Sequence, residues 1–201
     1  MHNYYRSCLA AEKSPDRSRA ANLLQDINNR SMWGSEERYK FIRTYGFALV
    51  TNQEIDLIAD FVDSPILSIG CGTGYIDQFL RFANLEVIST DLVNPLDSTY
   101  DFREAQCAIE LLEASQAIVK YPDHAVLTSW PCYDERWAYS ALACTKLGTK
   151  IIYIGEGSGG CTGDDNLHEF LESKCTELAH SSMLQWSGIH DNLTIYERTL
   201  L

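Results

Sequence analysis

The sequence predicts an α/β fold, a doubly wound and mostly parallel seven-stranded sheet with a C-terminal antiparallel hairpin and helices on both faces. Three observations predict it. Short apolar runs alternate with helical patterns from residue 66 to residue 178, which is the signature of a sheet wound with crossover helices. Residues 66–91 read as strand, glycine turn, helix and strand. The last two strand patterns, at 183–187 and 193–198, are joined by a connection too short for a crossover helix, so they must run antiparallel.

The elements follow in order. Residues 1–34 are polar and mixed, with Ser14-Pro15 as a breaker and a helical pattern through Ala20, Leu23, Leu24 and Ile27. Residues 35–47 place Tyr39, Phe41 and Tyr45 at helical spacing before Gly46. Thr51 or Asn52 caps a helix carrying Ile55, Leu57, Ile58 and Phe61, with Glu54 and Asp56 near its start, and Asp63-Ser64-Pro65 closes it. This divides the chain into an N-terminal helical appendage over 1–50, able to fold over a ligand as a lid, and a Rossmann-like domain over 51–201. Strands are expected at 66–69, 86–90, near 108–112, at 125–129 and at 150–154. Helices are expected at 75–83, 115–120, 135–147 and 165–178.

The stretch 66–91 carries the most chemistry. Ile66-Leu67-Ser68-Ile69 leads into Gly70-Cys71-Gly72-Thr73-Gly74-Tyr75, and Val87-Ile88-Ser89-Thr90 ends on Asp91. Glycines let the backbone turn sharply and approach a ligand without a Cβ. The following helix offers unpaired N–H groups and the positive end of its dipole. A carboxylate at the next strand tip, about 20 residues on, is placed for ribose hydroxyls. The pattern is G-x-G-x-G, with Tyr75 where a dinucleotide fingerprint would carry its third glycine. A purely structural turn and a nicotinamide or flavin site remain as other readings of these residues.

On these residues the chain resembles the class I S-adenosylmethionine-dependent methyltransferases, whose first motif reads acidic-x-G-x-G-x-G. The resemblance covers about residues 54–198. It implies that S-adenosylmethionine is the cofactor, bound by Ser68, Gly70, Cys71, Gly72, Gly74, Tyr75, Asp91 and Leu92. Ser68 stands where the family usually has Asp or Glu; it can accept a hydrogen bond but brings no charge. The family often places an acid beside a small residue at the third strand tip, against the adenine amino group, which implies Glu113 and Ala114. A helix-start charge explains Glu113 equally well.

Leu127-Thr128-Ser129-Trp130-Pro131-Cys132-Tyr133-Asp134 resembles the fourth motif of amino-group methyltransferases, D/N/S-P-P-Y/F, with Trp130 and Cys132 as departures. There a polar oxygen and backbone carbonyls hold the amine while an aromatic ring stacks on the acceptor. The resemblance implies catalytic roles for Trp130, Tyr133 and Ser129, and a substrate surface of Trp130, Tyr133 and Asp134. The bland reading has Trp130 and Tyr133 capping the core and Asp134 capping the next helix. Glu156, after the fifth strand, is a further substrate candidate for a cationic or amine acceptor. It opens the glycine-rich loop 155–165, whose other reading is a flexible connection ending in an Asp164 or Asp165 helix cap. That loop lacks the Lys-Ser/Thr of a phosphate-binding P-loop. His124, His168 and His190 have no metal-ligand spacing, so no metal is expected; His190 is the one candidate base among them.

A net charge of −12 argues against a broad phosphate-binding face and so against nucleic acid, in favour of a small-molecule partner. Seven dispersed cysteines without a C-x-x-C pair read as reduced thiols in a cytoplasmic protein. No run approaches the length of a membrane span. The resulting expectation is an S-adenosylmethionine-dependent methyltransferase acting on a small-molecule or amine-type acceptor. The alternatives are a catalytically inactive cofactor-binding or interaction module and an NAD-dependent oxidoreductase. The sequence does not specify an oligomeric state.

Overall fold

The computed structural model describes residues 1–29, 36–97, 99 and 101–200. Its strands are β1 (Ile66–Ile69), β2 (Val87–Asp91), β3 (Glu110–Leu111), β4 (Ala125–Ser129), β5 (Lys150–Gly155), β6 (Cys175–Ser182) and β7 (Asn192–Arg198). They form one seven-stranded sheet in the order β3-β2-β1-β4-β5-β7-β6. The first five strands are parallel, and β7 runs antiparallel to both β5 and β6. Central β1 is buried at every position, because a parallel strand covered on both faces has no solvent side.

The helices are α1 (His2–Ala10), α2 (Arg17–Asn28), α3 (Glu36–Thr44), α4 (Asn52–Phe61), α5 (Tyr75–Phe82), α6 (Ala114–Lys120), α7 (Trp137–Leu142) and α8 (Asp165–Lys174). Alternate strand residues divide between two cores. Ile66, Leu127, Ile152, Ile154 and Ile195 pack with residues of α1 to α5. Leu67, Ile69, Val126, Ile151 and Tyr153 pack with α6, α7 and α8.

The N-terminal helices are part of the first core. Tyr5, Phe41 and Tyr45 are buried there with Tyr75, Phe79 and Trp186. Phe41 is their hub, with ring centroids 4.8 Å from Tyr5, 4.9 Å from Tyr45 and 5.6 Å from Trp186. Tyr5 donates its hydroxyl to Val50 O (2.8 Å) and Tyr45 donates to His2 O (3.0 Å), so the phenols are buried with partners. Thr51 caps α4, its amide donating to Glu54 Oε2 (2.8 Å), and the other Glu54 oxygen takes Arg17 Nη1 at 2.6 Å. Arg17 also donates to Ser182 O of β6 (2.9 Å), tying this end of the chain to the sheet.

Several boundaries differ from the sequence expectation. The helix expected over 165–178 ends at Lys174, and the expected strand 183–187 is replaced by β6 over Cys175–Ser182. β6 is an edge strand with most of its side chains in solvent, so it lacks the apolar alternation that marks a strand. Within 183–187 only an isolated bridge between Leu184 and Leu49 remains. The helix expected over 135–147 contracts to α7, and the strand near 108–112 contracts to two residues paired with Thr90 and Asp91. Helix α1 was not anticipated. Ser35, which opened the aromatic segment in the sequence reading, lies outside the described residues.

Because Phe41 is wholly buried among rings, Phe41→Ala is expected to cost about 3–5 kcal/mol. Urea denaturation should show this as a lower midpoint at unchanged slope.

Candidate functional site

At the carboxyl ends of β1, β2, β3 and β4 the structure has a cavity of about 480 Å³. That is where ligands bind in open α/β sheets, and the size suits an organic cofactor.

Its floor is the turn after β1. Gly70 and Gly72 have φ of +60° and +57°, a region that L side chains rarely adopt. At Gly70 a Cβ would also meet Trp137 Cη2 at 2.5 Å, so the position admits no side chain. The turn is pinned by Cys71 N donating to Thr90 O (3.0 Å) and Gly72 N donating to Asp91 Oδ2 (2.9 Å). Asp91 thereby faces the glycine turn, with Oδ1 accepting from the Val93 amide at 3.3 Å. Burial raises the Asp91 carboxyl above its ordinary value, against the amide bonds from Gly72, Val93 and Leu92.

Of the residues singled out in the sequence, Gly70, Cys71, Gly72, Tyr75, Asp91, Leu92, Glu113, Ala114, Ser129 and Trp130 line this cavity. Glu113 caps α6, accepting from Gln116 N (3.0 Å) and Ser115 Oγ (3.2 Å). Burial opposes its charge, but those bonds outweigh burial and hold its carboxyl below the usual range.

Five candidates lie outside the lining. Ser68 is buried on β1 with its hydroxyl against Asp77 of α5, which burial leaves with a raised pKa. Gly74 packs away from the cavity, where a Cβ would fall 2.4 Å from Cys107 Sγ. Tyr133 is 68% exposed, which corrects its expected role as a stacking ring. Asp134 is exposed too, its amide donating to Gly163 O (3.0 Å). Glu156 corrects most sharply. Its Oε1 accepts from the His190 amide (2.7 Å) and its Oε2 from the Cys161 amide (2.8 Å), while His190 Nδ1 stands 3.4 Å from Oε1. Both carboxylate oxygens tie the glycine-rich loop to the β6–β7 connection, outside the cavity lining. Asp164 does cap α8, accepting from Leu167 N at 3.0 Å.

Other lining residues escaped the sequence reading as site residues. Phe102 lies over Gly72 at the end of a long β2–β3 connection, and Arg103 and Gln106 of that segment bond to Arg43 O (2.8 Å) and Thr73 O (2.7 Å). Trp137, Cys132 and Glu135 come from the connection to α7. Phe47 stacks on Trp130 at 4.8 Å and 13°, making one aromatic wall. Asp91, Asp97, Glu113 and Glu135 supply four carboxyls to the lining, and none of its described residues is basic. Among the described residues no cluster suits a metal ion, and no helix is long and apolar enough to cross a membrane.

No family model matches the sequence, and no curated protein matches it. Solved structures do match by fold. The 1,6-didemethyltoxoflavin-N1-methyltransferase of Burkholderia thailandensis, bound to 1,6-didemethyltoxoflavin and S-adenosylhomocysteine, superposes with a TM-score of 0.51 at 16% identity, over 90% of this chain and 89% of that one. The fold is that of the class I methyltransferases. A structure described for the conversion of a disulfide bond into a thioacetal group during echinomycin biosynthesis matches with a TM-score of 0.51 at 16% identity, over 74% and 82% of the two chains. TehB from Haemophilus influenzae matches with a TM-score of 0.50 at 13% identity, over 81% and 67%. In this chain the Gly70–Gly72 turn and Asp91 lie on the same edge of the sheet.

Glu156→Ala removes the acceptor of two part-buried amide bonds and is expected to cost about 1–3 kcal/mol in urea unfolding. Burial raises the Glu156 carboxyl, and the bonds from Cys161 and His190 outweigh it, leaving the pKa below 4.5. The contribution of this clamp is therefore present above that value and is lost as the pH falls through the lowered native pKa. The difference between wild type and Glu156→Ala should shrink on acidification.

Proposed function

We propose that this chain transfers a methyl group from S-adenosylmethionine to a small-molecule, amine-type acceptor. The observation that carries the reading is the juxtaposition of the Gly70–Gly72 turn with Asp91 across one cavity of cofactor size. The residues fit the cofactor. Gly70 and Gly72 line the cavity in a left-handed conformation that brings their main chain to its wall. Asp91 Oδ1 retains accepting capacity for a ribose hydroxyl, and Glu113 with Ala114 stands at the β3 tip for the adenine end. S-adenosylmethionine supplies an electrophilic methyl group on a sulfonium.

The chain's own contribution is binding, alignment and electrostatics. Asp91 and the glycine turn hold the sugar end, while Phe47 and Trp130 form an apolar wall that excludes water beside Ser129. The four carboxyls of the lining favour a cation and oppose a phosphate-bearing acceptor. That charge pattern, with the overall net charge of −12, supports an amine over nucleic acid. Ser129, at the end of β4, is the side chain of the divergent fourth motif best placed to accept from an acceptor amine.

Isothermal titration with S-adenosylhomocysteine tests the cofactor, and the expected result is saturable binding without binding of NAD. Asp91→Ala should weaken it roughly ten- to hundredfold, the worth of a lost hydrogen bond to a charged group. Binding of NAD alone would overturn the assignment. Transfer of labelled methyl to amines but not to RNA tests the acceptor class, and binding without turnover on any fraction would favour the inactive module.

A further inference from the structure

Among the described residues, three carboxylates outside the cavity are buried to 1% or less, Glu54, Asp77 and Asp191, and Asp77 takes bonds from Ser68 and Ser89. Glu54 has an ion partner in Arg17 and bonds from Thr51. Among the described residues Asp191 has no ion pair, and neither of its oxygens makes a hydrogen bond of full geometry. Leaving a carboxylate in that state costs several kcal/mol, as order of magnitude, so its retention needs a reason.

Its position suggests one. Asp191 immediately precedes β7, whose first residue Asn192 pairs with Gly155 at the carboxyl end of β5. The nearest strand tip beyond β5 is that of β4, where Trp130 N donates to Ile154 O (2.8 Å). Trp130 is itself held in an unusual state. Its φ is +53°, a left-handed conformation that a bulky residue seldom adopts, and its indole Nε1 is buried without a partner. The same ring lines the cavity and stacks on Phe47. A strained aromatic residue with an orphan donor thus stands beside a buried carboxylate with two orphan acceptors.

We infer that Asp191 is a positioning residue for the acceptor wall: its carboxylate draws the Trp130 indole N–H and holds the ring against Phe47, so the wall is set while Asp191 is charged and loosens when it is neutral. This rests on reading the cavity as the acceptor site. The groups facing Asp191 fix the pH at which the device works. Burial pushes its carboxyl up to about 7; the Trp130 N–H and the Arg38 charge of α3 favour the anion, and Glu156 at the end of β5 disfavours it. Tyr75 of α5, Tyr153 of β5 and Cys161 of the following loop face the same carboxylate and have their own pKa values raised in part by it. His190, next in the chain, is engaged by Glu156. A raised carboxyl pKa means the anion forms only above it, so the wall is set above about pH 7 and released below.

The full chain allows a test without any acceptor. Tryptophan fluorescence, read across neutral pH, should show a transition with a midpoint of about 7 in the wild type and none in Trp130→Phe or Asp191→Asn. The infrared carbonyl band of a protonated carboxyl should titrate over the same range, vanish in Asp191→Asn, and shift upward by about one pH unit or more in Trp130→Phe, which loses the N–H that favours the anion. A fluorescence transition that survives in either variant, or a carboxyl midpoint unmoved in Trp130→Phe, overturns the inference. Should Asp191→Asn not fold, the infrared midpoint in Trp130→Phe decides alone, because that variant keeps the native carboxylate. S-adenosylhomocysteine binding by the wild type is scored separately. If it fails while the Trp130–Asp191 titration holds, the functional reading has failed and the coupling has not.

Discussion

The hydrogen bond from the Gly72 amide to Asp91 Oδ2, 2.9 Å long, ties the turn after β1 to the tip of β2, and both of these residues line the cavity. It works with the neighbouring bond from Cys71 N to Thr90 O, which continues the β1–β2 pairing for one residue into the turn. With the turn fixed, α5 must start at Tyr75, and its buried face is directed at the N-terminal helices. The glycine conformations at 70 and 72 are the condition for all of this, since no other residue takes those angles without strain. Asp91 bears the cost, carrying a carboxyl that burial makes harder to ionise.

The cavity is continuous with the core below it. Tyr75 lines the cavity, and its hydroxyl bonds to Ala48 O in the segment leading from α3 to α4. Thr73, one step earlier in the turn, donates its hydroxyl to Tyr45 O. Tyr45 and Tyr75 both belong to the ring cluster centred on Phe41, so displacing α1 or α3 would move the turn that builds the site. The same logic applies on the other side, where Glu156 joins the glycine-rich loop to the final hairpin, and that hairpin carries Asp191 toward Trp130. Packing and site geometry are therefore coupled through hydrogen bonds to backbone carbonyls and amides, which have little freedom to adjust.

Much of the architecture was legible because its signals are local. The glycine turn and Asp91 sit within one strand–helix–strand unit, and the chain between them is too short for them to be far apart. The closing antiparallel pair was legible for the same reason, although the edge position of β6 disguised where it begins: Cys175–Ser182 shows solvent to most of its side chains and so reads as polar chain. The misplaced site residues share a different cause. Ser68 is turned to Asp77, Glu156 to His190 and Cys161, and Asp134 to Gly163, and each partner comes from another element or loop. Phe102 was invisible for a related reason, since scattered apolar residues in a long irregular connection give no periodic signal. Trp130 was legible as a site residue by its place after β4; that its ring would find a partner in Phe47, far earlier in the chain, was not.

Charge ties the cavity to its chemistry more tightly than shape does. Four carboxyl-bearing residues share one lining without a described basic residue among them, and their mutual repulsion is a cost that water screens at the exposed Asp97 and Glu135. Part of that cost is local and already met, because Glu113 is held ionised by the start of α6. On the proposed reading, such a lining favours a cationic or amine acceptor over a phosphate-bearing one. The aromatic wall then adds what carboxyls cannot, a polarisable face that attracts a cation without hydrogen-bonding it in place. Its effectiveness depends on the orientation of the Trp130 ring, and that ring is held by a backbone conformation it would not choose alone.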